Sequence, residues 1–123
     1  MNDYLILALH ITHLIRTRIT QENAPGLGDR ELQILEHITR EHALGRFVFM
    51  EDGMSLKHLG SRYTLRKSIQ VLIDLNYLQV DSTTDSRQRP LVPAPRAVAL
   101  FEQIGKSISQ LLVSQKPFEA RPT

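Results

Sequence analysis

Apolar residues recur along the chain with two periods, and the changes of period mark its elements. Tyr4, Leu7, Ile11, Leu14 and Ile15 form a stripe at helical spacing, while Leu5, Ile6 and Leu9 fill other faces. This predicts a helix over about 3–22 that is apolar on nearly every side and so needs cover on several. In so small a domain, a second subunit is the expected cover. Pro25 and two glycines break the pattern. Asp29 suits the N-cap of a second helix running to about Ala43, with Leu32, Leu35, Ile38 and Thr39 facing inward and Gly45 closing it. "RFVFM" is too short for a helix and predicts a strand, turned by "EDG". Ser55 suits the cap of a short third helix, Leu56 to about Ser61.

The run "YTLRKSIQVLIDLNYL" predicts a fourth helix capped by Thr64. Leu65, Ile69, Leu72 and Leu75 make its inward stripe; Thr64, Arg66, Lys67, Ser68, Gln70 and Asp74 fall off it. Asn76 stands where a helix wants a left-handed residue to end on. "YLQV" and "PLVP" then bracket the polar "DSTTDSRQR" as a two-stranded hairpin with a long tip, and Pro90 must avoid a ladder hydrogen bond. Pro95 suits the first position of a last helix, whose stripe is Val98, Phe101, Ile104, Ile108, Leu111 and Leu112. Residues 116–123 are expected to form a flexible tail. A helix pair followed at once by a hairpin is the winged helix-turn-helix arrangement. In it one helix enters the major groove of duplex DNA and the hairpin lies on the adjacent backbone or minor groove. The expected class is therefore mainly α with a small β-wing. One domain spans about 1–115: a DNA-binding core over about 29–93, with flanking helices over about 3–22 and 95–114.

Composition narrows this only a little. The 123 residues are 41% hydrophobic and 23% charged, enough to build one core. No cysteine is present, which excludes disulfides and thiolate metal sites. The N-terminal apolar run has Asp3 where a signal peptide wants positive charge, and His10, Thr12 and His13 interrupt it. A cytoplasmic location is expected. The net charge of +2 matters less than its distribution. Lys57, Arg62, Arg66 and Lys67 fall within 53–73, which holds no Asp or Glu, whereas 28–52 is rich in acid.

Two local patterns resemble the MarR-type winged-helix regulators, the multiple-antibiotic-resistance regulators and their staphylococcal accessory-regulator relatives. "LIDLNYLQV" is similar to the family's exit from the recognition helix, with Asn76 in place of the usual Gly. "DSRQRPL" is similar to the wing pattern, matched by Asp85, Arg87 and Leu91. The family's Leu-Thr and following Gly are replaced here by Pro93, Ala94 and Ala97, and "SLKHLGSRY" is shorter than the usual third helix and turn. The resemblance implies a homodimer built from the first and last helices, bound to a near-palindromic duplex site and usually repressing. It also implies that a small phenolic or other apolar effector can release DNA, though no residue here identifies one. The thiol-oxidation switch of some members is excluded.

Candidate DNA-binding residues follow. Arg66 can read guanine and Gln70 adenine, each bidentately; Lys67 suits phosphate; Arg62 and Thr64 stand near the helix start, where phosphate contacts are common. Arg87 and Arg89 suit the minor groove, with Asp85 bracing one of them by a charge-assisted bond. The plain alternative in each case is a solvated helix face or a wet hairpin tip. His10 and His13, three apart, lack a carboxylate at ligand spacing and suit a subunit interface or the surface better than a metal. No phosphate loop or catalytic set is present, so neither an enzyme nor a cofactor is expected. Three readings stay open: a dimeric DNA-binding transcriptional regulator, a winged-helix protein-interaction module, and a plasmid or phage replication or partition protein. The basic stretch favours DNA.

Overall fold

Gly28 has extended backbone, and its carbonyl accepts from the N–H of Leu32 at 2.9 Å, which starts a helix one residue later than Gly28 itself. In the computed structural model, which describes residues 3–18, 26–81 and 89–119, this is the second of five α-helices among the described residues. In chain order they are α1 (Asp3–Arg18), α2 (Asp29–Ala43), α3 (Met50–Met54), α4 (Arg62–Asp74) and α5 (Pro95–Glu119). A 3-10 turn (Lys57–Leu59) precedes α4, and strands β1 (Leu78–Val80) and β2 (Leu91–Pro93) follow it. The chain divides into two units. One is Gly26–Val98; the other joins Met1–Pro25 to Ala99–Thr123.

The Gly26–Val98 unit is built around α4. Leu65, Ile69 and Leu72 are fully buried, as their spacing predicts, together with Ile34, Leu35 and Ile38 of α2 and Tyr77 and Leu78 beyond. Each such side chain contributes about 1.5–3 kcal/mol by leaving water. In α2, Ile34 joins the inward face and Leu32 and Thr39 are only half-buried. Asp29 is not the cap, which is Gly28, but the first helical residue, where its charge favours the positive helix end.

The expected strand at "RFVFM" shrinks to a single bridge between Val48 and Leu91. Asp52 reaches back to accept from the Phe49 N–H at 2.8 Å, so the chain enters α3 where a turn was expected. Ser55 ends that helix rather than capping the next, donating its hydroxyl to the Glu51 carbonyl at 2.7 Å. The third helix expected over 56–61 is therefore only the 3-10 turn. Gly53 lets α3 lie close on α4: a Cβ there would stand 2.7 Å from Ile69 Cδ1.

Helix α4 ends as Asn76 predicts. Asn76 has φ 64°, its N–H donates to the Ile73 carbonyl at 3.0 Å, and the Tyr77 N–H donates to that of Leu72 at 2.8 Å. This is a Schellman ending, and buried Leu72 and Tyr77 supply the apolar pair that accompanies it. The wing pairs antiparallel, Leu78 with Pro93 and Val80 with Leu91. Pro90 serves only as an acceptor, taking the Asp81 N–H at 2.8 Å. Pro95 opens α5 as expected, after Ala94, whose carbonyl accepts from the N–H of Ala97 and of Val98.

In the other unit, α1 buries none of its described side chains fully. Leu7, Ile11 and Leu14 are half-buried; Tyr4, Leu5, Leu9 and Ile15 are exposed. Residues 19–22 of the expected first helix lie outside the described residues. In α5, Leu100 and Ile104 are buried and Ile108 and Leu111 half-buried, while Leu112 and Val113 are exposed. The helix continues to Glu119, into the segment expected as tail. An open groove of about 490 Å³ is lined by His10, His13, Leu14 and Thr17 of α1 and Ser107, Gln110 and Leu111 of α5. Among the described residues, no helix is long and apolar enough to cross a membrane.

Candidate nucleic-acid interface

The start of α4 is set by Ser61, not Thr64. Ser61 Oγ accepts the Thr64 N–H at 3.2 Å, and its hydroxyl donates to Thr64 Oγ1 at 3.0 Å. Thr64 is thus the third helical residue, half-buried, with its N–H donated to the cap and its hydroxyl oxygen accepting from it. Upstream, Gly60 at φ 152° makes the bend, and Arg30 of α2 donates Nε–H to the Leu59 carbonyl at 2.8 Å. These contacts place the first turn of α4.

Opposite the core, α4 exposes two neighbouring ridges. One is Arg62, Arg66, Gln70 and Asp74; the other is Tyr63, Lys67 and Val71. Residues four apart stack along one helix face. Of the predicted residues on the first ridge, Arg66 is exposed and makes no ion pair among the described residues. Arg62 instead pairs with Glu51 of α3, Nη2 to Oε2 at 2.7 Å. Gln70 donates Nε2–H to Asp74 Oδ1 at 2.9 Å. That bond occupies one amide hydrogen and leaves the other, with the carbonyl, open to a further partner. Lys67 holds its Nζ 5.3 Å from the centre of the Tyr63 ring.

Ser68, expected on the open face, is 5% exposed and donates to Glu31 Oε2 of α2 at 2.6 Å. Its polarity disguised its position, since only a carboxylate 37 residues away satisfies it. Tyr63 is exposed on the same side of α4, four residues before Lys67; being uncharged, it does not stand out in the charge pattern of the sequence.

On the wing, Arg89 is exposed at the rim of a hollow lined also by Phe49, Met50, Glu51, Asp52, Val80 and Leu91. The structure therefore sets it beside acid as well as apolar residues. Asp85 and Arg87 lie outside the described residues. At the C-terminal end of α4, Arg96 of α5 donates Nη1–H to the Leu75 carbonyl at 2.6 Å and sits 4.3 Å over the Tyr77 ring. Tyr77 is fully buried and its hydroxyl has no partner among the described residues. Burial pushes that hydroxyl above its ordinary pKa of 10.0, and the Arg96 charge pulls it the other way. Among the described residues, no three His, Asp or Glu side chains gather as a metal site would require.

No protein-family model and no curated protein matches the sequence. The fold is similar to a solved structure, a putative MarR family transcriptional regulator from Clostridium acetobutylicum. The TM-score is 0.54 at 16% identity, over 89% of this chain and 78% of that one. The chain thus has a MarR-like winged-helix fold.

Proposed function

We propose that the protein is a sequence-specific, double-stranded-DNA-binding transcriptional regulator that acts as a homodimer and represses by occupying its site. The observation that carries this reading is the free face of α4. Leu65, Ile69 and Leu72 anchor the helix while Arg66, Lys67 and Gln70 stand open on its far side. In a winged helix this face enters the major groove. Arg66 and Gln70 then meet base edges, while Lys67 serves the phosphates. Arg62 reaches phosphate by exchanging its exposed partner Glu51, a weak pair to give up.

Dimerisation is supported by α1. Tyr4, Leu5, Leu9 and Ile15 on one helix, with Leu112 and Val113 on α5, expose more large apolar side chains than a helix facing only water carries. A second copy covers them and sets two α4 helices on successive half-sites. The test is fluorescence anisotropy with random-sequence duplex at several salt concentrations. Binding that weakens linearly on a log–log salt plot is expected. No binding at low salt would leave the winged helix as a protein-interaction module and overturn the proposal.

A further inference from the structure

The second ridge of α4 has a chemistry that phosphate and hydrogen-bond contacts leave unused. Tyr63 is 72% exposed and Val71 40% exposed, and Lys67 lies between them. Val71 is a poor choice for a merely solvated helix face: its β-branch lowers helix propensity, and an apolar side chain gains nothing in water. Nor does the core need it, because Leu72 beside it is fully buried. The Lys67 ammonium lies over the Tyr63 ring, 5.3 Å from its centre.

We infer that Tyr63 and Val71 read the 5-methyl groups of two thymines in each half-site. The inference rests on α4 being the groove helix. In the major groove the thymine methyl is the one apolar feature of a base edge, and apolar side chains recognise it. Arg66 and Lys67 supply the positive charge that draws the flanking duplex to this ridge. The spacing of the two thymines follows from the helix. Eight residues at 1.5 Å each span about 12 Å, which is about three to four base pairs at 3.4 Å per step.

The probe is a duplex selected from a random pool by the wild-type protein, with each thymine replaced in turn by deoxyuridine. That change removes only the methyl group. Affinity is measured for the wild type, Val71→Ala, Tyr63→Ala and Arg66→Ala. The wild type should lose about fourfold at each of two thymines per half-site, the value of one buried methyl. Val71→Ala should be indifferent to uracil at one of them. Tyr63→Ala should be indifferent at the other, about three to four base pairs away. Both positions are exposed, so the variants should fold as the wild type does. If Arg66→Ala weakens binding but both ridge variants keep the wild-type response to uracil, methyl reading is overturned while the groove assignment stands. If Arg66→Ala binds the selected duplex as the wild type does, the groove assignment itself fails.

Discussion

Replacing Ser68 by Ala should cost the Gly26–Val98 unit about 1 kcal/mol. The Ser68 hydroxyl is 5% exposed and donates to Glu31 Oε2 at 2.6 Å, a length typical of a charge-assisted bond. Hydrogen bonds to charged groups contribute about 1.5–3 kcal/mol. Glu31 is only half-buried, so its carboxylate recruits water once the donor is gone, which places the loss near the lower end, about 1.5 kcal/mol. Ala restores about 0.5 kcal/mol of helix propensity, and removing one oxygen opens no cavity of consequence. The net is about 1 kcal/mol. A single substitution of Glu31 is harder to interpret, because the residue also lies in the first turn of α2, where a negative charge favours the helix by about 0.3–1 kcal/mol. A double-mutant cycle with Ser68→Ala and Glu31→Ala cancels that part. Urea unfolding followed by circular dichroism, at one fixed protein concentration, should give a coupling of about 1–1.5 kcal/mol. A coupling within about 0.3 kcal/mol of zero would refute the claim that this bond ties α4 to α2.

Tyr77→Phe should be neutral or stabilising by up to about 1 kcal/mol, since it removes a buried hydroxyl without a partner and keeps the ring under Arg96. Because burial raises this hydroxyl's pKa in the folded state, the stability of the wild type relative to Tyr77→Phe should be constant below about pH 10 and fall as pH climbs through the raised value. The difference between wild type and Tyr77→Phe in alkaline unfolding curves should show that fall. Glu51→Gln should release Arg62 and remove a negative charge, tightening binding to any duplex and steepening the salt slope by about one unit, with little change in stability. Ile11→Asp should dissociate the dimer in sedimentation; a wild type that is a stable monomer at micromolar concentration would end the dimer proposal.

How legible this molecule is from its sequence depends on how local each determinant is. The inward stripe of α4 and its ending at Asn76 are local. Leu65, Ile69 and Leu72 declare themselves by spacing, and Asn tolerates the left-handed backbone that the following Tyr77 bond needs. The start of α4 is less so, because Ser61 and Thr64 are both able to cap. Gly60 and the Arg30 bond to Leu59 favour the earlier residue, and that bond crosses 29 positions. The burial of Ser68 is wholly non-local. "RFVFM" has strand chemistry but bridges only at Leu91, and Asp52 begins a helix at once. The candidate interface follows the same division. Arg66, Lys67 and Gln70 are legible as the open side of a helix, whereas the partners that hold Arg62 and Gln70 depend on where Glu51 and Asp74 point.

The central claim is that α4 reads DNA sequence, and a base-preference profile tests it most directly. Affinities of the wild type and Arg66→Ala are measured across all single-base variants of a duplex selected by the wild-type protein. The account predicts that Arg66→Ala loses discrimination of about 1–3 kcal/mol at one base pair in each half-site. The two affected positions should be related by two-fold symmetry and lie about one helical turn apart or slightly more. Preference elsewhere should be unchanged. A profile for Arg66→Ala that matches the wild type at every position would contradict the account.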